Sequence, residues 1–245
     1  MSLFINRHIL SLTSLDSGLI TPMMAVMHHF PEPGGYQGML LKGEKVVSRF
    51  YLMVDTDAPL KSAKINVETC NGLSYSVNPK AYTLFHSPMG AGGYSVRVQK
   101  VDGKPASTAF DNRELEEGDI FAASLFRLGQ YTVSNQQRAH CRITVARPTQ
   151  RIIQYNPITH RAVIRHPAGS SSVDCSKDGF KPDKAKVELG QTILFHIKTT
   201  SSRIKIQLET PEDKGPSTQQ RQGAHPPSKK PKNISTTVKS SAQRK

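Results

Sequence analysis

The chain of 245 residues lacks tryptophan, and its other aromatic residues amount to only 7% of the total. None of its apolar runs reaches the roughly 18 residues that a membrane-spanning helix requires, so no membrane span is predicted. Cysteine is scarce as well, and Cys70, Cys141 and Cys175 lie too far apart in sequence for a CxxC metal or redox pair. Because an odd number cannot pair completely within the chain, we expect free, buried thiols.

The motifs of several large enzyme classes are also missing. The sequence contains no G-x-S-x-G nucleophile elbow, no G-x-x-x-x-G-K phosphate loop and no H-E-x-x-H metal pair. An acidic cluster at residues 112–119 lacks the spacing of a calcium loop, so we interpret it as a solvated turn. Its acidic members are Glu114, Glu116, Glu117 and Asp119. The sequence therefore predicts no catalytic residue and no cofactor.

Positive charge is abundant, with a formal net charge of +14, and it is concentrated at the C-terminus. Residues 210–245 carry eight basic and two acidic side chains, a net charge of +6, and almost no large apolar residue. Such a segment buries too little surface to offset the entropy of ordering, so we predict a disordered basic tail. Its Lys-rich stretch at 228–232 is a candidate contact for nucleic acid or another anionic surface.

What the sequence does have is many short strand patterns separated by turn residues. Gly and Pro, with 17 and 16 copies, punctuate these segments. Seven such patterns in the first 148 residues predict a β-sandwich. They span residues 44–54, 63–68, 73–77, 94–101, 120–126, 131–135 and 141–147.

The strand patterns continue after Pro148. The clearest is a hairpin in which residues 184–189 and 192–197 are the strands and Gly190-Gln191 is the turn. Phe195 and Ile197 are expected to share a core face with Phe180, and His196 to point away from it. We find no convincing repeat of fixed period. The predicted fold is all-β, with two packed β-domains at 39–148 and 149–209, the latter alternatively being a sheet extension.

Two segments resemble cupredoxin-like domains, which share the immunoglobulin-like β-sandwich style. Residues 179–197 are similar to the opening strands of such domains, with a Phe-x-Pro segment before a Gly-centred turn. Residues 118–145 are similar to the closing strands, in which a Tyr-bearing strand precedes a final "ITV" strand. The resemblance implies a β-sandwich. The copper-ligand loop is missing, because no His or Met follows Cys141 until His160.

Residues 1–38 are the segment where a helix competes with other structure. Thr21 and Pro22 provide a start for a short helix, and Met23, Met24, Ala25 and Met27 favour one. Thioether and imidazole ligands suit Cu(I), so a copper site is an alternative for this segment. Its candidate ligands are Met23, Met24, Met27, His28 and His29, with His86 and Met89 as additions.

Three function classes follow from these patterns. The first is a non-catalytic β-sandwich protein with a binding or structural role, without a type-1 copper site and with another protein as its partner. The second is a copper-handling protein that uses the Met/His segment, and the third is a nucleic-acid-associated protein that uses the basic tail. Arg7 and His8 interrupt the apolar residues of the first fifteen, so a secretory leader is not predicted. A native N-terminus would favour a cytoplasmic location.

Overall fold

The computed structural model describes residues 11–88, 92–101, 107–136, 140–147, 152–156, 161–165 and 169–209, of which 152–156 and 161–165 are described by their backbone alone. Every named element in these ranges is a β-strand, so the all-β prediction is confirmed. The strands are β1 Ser14–Asp16, β2 Met24–His29, β3 Gly34–Lys42, β4 Lys45–Val54, β5 Ala63–Asn66, β6 Ser74–Val77, β7 Tyr82–His86, β8 Ser95–Lys100, β9 Ser107–Asp111, β10 Ile120–Ser124, β11 Gly129–Ser134, β12 His140–Ala146, β13 Ile152–Asn156, β14 Arg161–Arg165, β15 Ser171–Ser176, β16 Gly179–Lys181, β17 Lys184–Glu188, β18 Thr192–Ile197 and β19 Lys205–Leu208.

Three large sheets contain most of these strands. The first outer sheet has the order β6-β4-β3-β8-β9, and the second outer sheet has the order β17-β12-β11-β19-β1. A seven-stranded central sheet has the order β5-β7-β2-β10-β18-β15-β16, and β13 and β14 form a separate antiparallel pair.

The central sheet packs against both outer sheets through a continuous apolar core. In the first half, Phe85 on β7 stacks on Phe110 of β9 at 5.2 Å between ring centroids and lies 6.1 Å from the ring of Phe50 on β4. In the second half, the Asn135 amide after β11 donates to the Cys175 sulfur on β15 at 3.5 Å. All three cysteines are free and buried, as expected from the sequence.

The two halves share most of their strand topology. Each half contains a parallel pair at the edge of its outer sheet, β4 with β6 and β12 with β17. Each also contains a parallel pair in the central sheet, β5 with β7 and β15 with β18. The remaining pairs match in order and in antiparallel direction, except β13–β14 and β15–β16, which have no counterpart among the described strands of the first half. The chain is therefore an internal duplication, which the sequence patterns did not reveal.

Equivalent residues from β1 to β3 and from β9 to β11 lie 95 positions apart. Gly34 and Gly129 both have a φ of +138°, which favours glycine. Two residues later, the Tyr36 hydroxyl donates to the Glu32 carbonyl and the Tyr131 hydroxyl donates to the Arg127 carbonyl, at 2.7 and 3.0 Å.

The first strands of the two repeats are exchanged. Strand β1 pairs with β19 in the second outer sheet, whereas its counterpart β9 pairs with β8 in the first. The equivalent residues Ser17 and Asn112 meet where the two connections cross, and the Asn112 amide donates to the Ser17 carbonyl at 2.7 Å. Each half therefore depends on a strand from the other.

Two local predictions are wrong. The Met/His segment is strand β2 rather than a helix, because pairing with β7 and β10 outweighs the small helix preference of Met and Ala. The predicted hairpin has both strands, but they do not pair with each other: β17 joins β12 and β18 joins β10 and β15. The Gly190 turn therefore carries the chain from one sheet to another.

The strands between 171 and 208 are distributed over existing sheets. Strands β15, β16 and β18 extend the central sheet, and β17 and β19 belong to the second outer sheet. Strand β3 crosses the boundary expected at residue 38. Phe180, Phe195 and Ile197 are buried together as predicted, with the rings of Phe180 and Phe195 6.5 Å apart.

Candidate protein-docking groove

The solvent-facing side of the first outer sheet carries a shallow apolar groove. Strand β4 buries Phe50, Leu52 and Val54, so the alternate residues Tyr51 and Met53 project outward and are 47% and 56% exposed. Val101, directly after β8, is 58% exposed. These side chains, with Gly35 and Ser74, line a groove of about 380 Å³, called the Met53 groove below.

Gly35 forms the floor of the Met53 groove. It pairs with Met53 in the β3–β4 register, and its carbonyl accepts a hydrogen bond from the Val101 amide at 2.8 Å. A Cβ added at Gly35 would have the Val101 carbonyl oxygen, at 3.7 Å, as its nearest neighbour, which is an ordinary contact. The position therefore has room for a side chain, and its absence keeps the groove open.

The duplicated half provides an internal comparison for this surface. The Gly35–Met53 and Gln37–Tyr51 pairs correspond in register to Gln130–Thr144 and Thr132–Arg142. The Glu209 amide donates to the Gln130 carbonyl as the Val101 amide does to Gly35. Four groove positions are therefore polar or charged in the second half: Gly35 is matched by Gln130, Tyr51 by Arg142, Met53 by Thr144 and Val101 by Glu209.

Those polar residues interact with one another on the second outer sheet. The Thr132 hydroxyl donates to the Glu209 carboxylate, and the Arg142 guanidinium lies 3.9 Å from the same carboxylate. A polar surface is thus compatible with this fold at these positions. The apolar side chains of the Met53 groove are a property of the first half and not a requirement of the architecture.

Charges of both signs lie near the groove, and the exposed Asp55 follows Met53 by two residues along the chain. Arg49 lies two residues before Tyr51 on β4 and is exposed, and in the described part of the chain no ion pair joins it to a carboxylate. Lys100 is bonded to the Glu32 carboxylate at 2.7 Å, and this hydrogen bond lowers the pKa of Glu32. Arg49 is therefore the cation placed to meet a partner.

The candidate copper ligands of the Met/His segment point in different directions. Met24 is buried, whereas Met27 and His29 lie on the opposite side of β2. Met23 precedes the strand with a φ of +72°. Because a strand alternates its side chains, Met23, Met24 and Met27 do not share the single face that a helix would have given them.

His28 faces the interior of the first half. Its Nδ1 lies 2.6 Å from a carboxylate oxygen of Asp119, and its ring is 4.6 Å from that of Phe110. Asp119 is only 2% exposed, and its second oxygen accepts a hydrogen bond from the Glu116 amide. The prediction that this acidic cluster is a solvated turn is therefore wrong for Asp119, which links the turn to β2.

Other predicted site residues lie outside the described part of the chain. These are Met89 and the whole basic tail at 210–245. Nucleic-acid binding by the tail therefore stays a prediction.

The Met53 groove was not predicted, because the sequence of β4 is typical of an ordinary strand. The signal was the run of five apolar residues from Phe50 to Val54 within a strand that has one solvent face. In such a strand every second residue is normally polar, so the run predicts exposed apolar side chains.

Comparisons with protein-family models, with curated proteins and with solved structures find no match to this chain. Across the described residues, no helix is both long enough and apolar enough to span a membrane.

Proposed function

We propose that this protein is a non-catalytic binding protein, and that the Met53 groove receives an apolar segment of another protein. The contrast between the two halves carries the proposal. Four equivalent positions are apolar or glycine in one half and polar in the other, although the backbone pairing is the same. Clustered exposed apolar side chains on a sheet otherwise facing water are typical of protein-interaction surfaces.

The proposed scaffold is a pair of β-sandwiches that share the central sheet. Contacts between the first outer sheet and the central sheet, such as Phe50 with Phe85, support this description of the first half. The interior side of β11 supports it in the second half, where Tyr131 and Val133 are buried. A scaffold of this kind is suited to binding, because strands hold surface side chains in fixed positions.

The proposed partner segment is apolar with acidic flanking residues. An apolar side chain would fill the space above Gly35, between Met53 and Val101. The exposed Arg49 would favour a carboxylate beside it, and the net charge of +14 favours acidic partners at longer range.

A display library of random twelve-residue peptides tests the proposal. We expect selection on the whole chain to enrich apolar peptides with acidic flanks. Replacing Met53 by Thr, the residue at the equivalent position of the other half, is expected to weaken binding of the enriched peptide about tenfold or more, as for a central interface residue.

Thr144→Ala is the matched control, because it alters the equivalent position on the second outer sheet. It is expected to leave the affinity unchanged. Equal affinity of the enriched peptide for wild type and Met53→Thr, or failure to enrich any peptide, would contradict the proposed function.

A further inference from the structure

The edge of the first outer sheet next to the Met53 groove is strand β6. In the described residues, β4 is the strand hydrogen-bonded to β6, and the other side of β6 has no strand partner. The carbonyls of Leu73 and Val77 accept bonds from the amides of Tyr51 and Asp55 on the β4 side. Since backbone groups alternate along a strand, those of Ser74 and Ser76 point to the open side.

The equivalent edge in the second half is protected by charge. Strand β17 occupies that edge and contains Lys184, Lys186 and Glu188. Ser74 pairs with Tyr51 and Ser76 with Met53, whereas in the second half Lys184 pairs with Arg142 and Lys186 with Thr144. Lys184 and Lys186 are therefore the equivalents of Ser74 and Ser76. Charged side chains, lysine above all, are the usual means of preventing edge strands from pairing with other chains.

Strand β6 carries no such protection. Its residues are Ser74, Tyr75, Ser76 and Val77, and both serines are exposed. Ser74 also lines the Met53 groove, so the open backbone edge and the apolar groove are adjacent. A segment paired with β6 would bring alternate side chains over the groove.

We propose that the partner binds as an added β-strand along β6, in an extended conformation with apolar residues at alternate positions and an acidic flank. This inference rests on the proposed function of the Met53 groove and specifies the form of its ligand. Backbone hydrogen bonds to Ser74 and Ser76 supply affinity, and the groove selects the side chains. A second copy of the chain is a poorer occupant, because both copies carry a net charge of +14.

The test is a backbone methylation series on the peptide enriched by wild-type protein from the twelve-residue library. N-methylation removes an amide donor without changing the side chain. Methylation at the alternate positions whose amides face β6 is expected to lower affinity about tenfold, and methylation at the intervening positions to leave it nearly unchanged. Equal effects of both sets would overturn strand addition.

A protein variant provides an independent test of strand addition. Ser76→Pro removes the open-side amide, and proline is tolerated on an edge strand where that amide faces away from the sheet. Binding is expected to fall about tenfold, while Lys186→Pro, the matched change on β17, leaves it unchanged. If Ser76→Pro fails to fold, the methylation series on wild-type protein still decides the question.

Failure of this inference can be separated from failure of the proposed function. Peptide affinity that is unchanged by both methylation sets but weakened by Met53→Thr would leave the groove as the binding site and overturn strand addition. Light scattering tests whether a second copy of the chain binds to β6 instead, and a monomer is expected. A dimer that Ser76→Pro dissociates would show that a second copy occupies β6 and would overturn the proposal.

Discussion

Replacing Phe195 by Ala tests the packing of the second half. Phe195 lies on β18, is fully buried, and stacks on Phe121 of β10 with 5.7 Å between centroids. Its ring also makes an edge contact with Phe180. Emptying such a site removes the transfer free energy of the ring and leaves a cavity, so the free energy of unfolding should fall by about 3–5 kcal/mol.

The assay is urea unfolding followed by far-ultraviolet circular dichroism. With a slope of roughly 2–3 kcal/mol per molar urea, that loss shifts the midpoint by roughly 1–2.5 M while the slope stays constant. His196→Ala is the neighbouring control, because His196 points to the opposite side of β18 and is only partly buried. Its cost should stay below about 1 kcal/mol.

The first half provides a matched variant. Phe85 pairs with Val26 in the central sheet as Phe195 pairs with Phe121, and it is also fully buried. Phe85→Ala should therefore have a similar cost. A loss below about 1 kcal/mol for Phe195→Ala, or an equal loss for His196→Ala, would refute the assignment of faces on β18.

Three further predictions concern the exchanged strands, the acidic groups and the thiols. Leu15 on β1 is 5% exposed, so Leu15→Ala should lower the free energy of unfolding by about 2–5 kcal/mol. Because β1 belongs to the sheet of the second half, both halves should still unfold in one transition. Two separate transitions in calorimetry would argue against the dependence of each half on a strand from the other. Burial alone would raise the pKa of Asp111, but hydrogen bonds from Arg113 and Arg97 outweigh it and lower that pKa. Ionised Asp111 therefore stabilises the fold above the ordinary carboxyl pKa of about 3.9, and this stabilisation is lost as the pH falls through the lower pKa of the folded state. The unfolding curves of wild type and Asp111→Asn should then converge in strong acid. A difference in stability that grows in strong acid would show that the pKa of Asp111 is raised rather than lowered. Burial raises the pKa of Cys141 to about 11, and Cys70 and Cys175 are also buried. A thiol reagent at mildly alkaline pH should therefore label none of the three thiols until the chain is denatured. Rapid labelling of the folded protein would contradict their burial.

The location of strands was largely predictable, and their partners were not. The β-branched run at 192–197 and the alternation before Glu188 are local signals, and both strands formed. Their partners depend on residues far away in sequence: Val187 pairs with Val145, and Phe195 pairs with Phe121. A glycine turn between two strands fits a hairpin and a sheet-to-sheet connection equally well, so the local pattern could not decide between them.

The duplication was hidden for a related reason. Between residues 14 and 41, the identities at the 95-residue spacing are Asp16, Gly34 and Tyr36, which recur as Asp111, Gly129 and Tyr131. Core positions keep their apolar character but change residue, as at Ile20 and Leu115. The Met53 groove was missed with the duplication, because its significance depends on the comparison between halves.

The most direct test of the Met53 groove is a calorimetric titration of Gly35→Gln with the peptide that wild-type protein selects. Glutamine is the residue at the equivalent position of the other half, and Gly35 has space for a Cβ without a clash. The side chain should fill the groove, so we expect loss of binding with unchanged thermal stability. Full affinity in a folded Gly35→Gln protein would contradict the claim that this groove is the binding site.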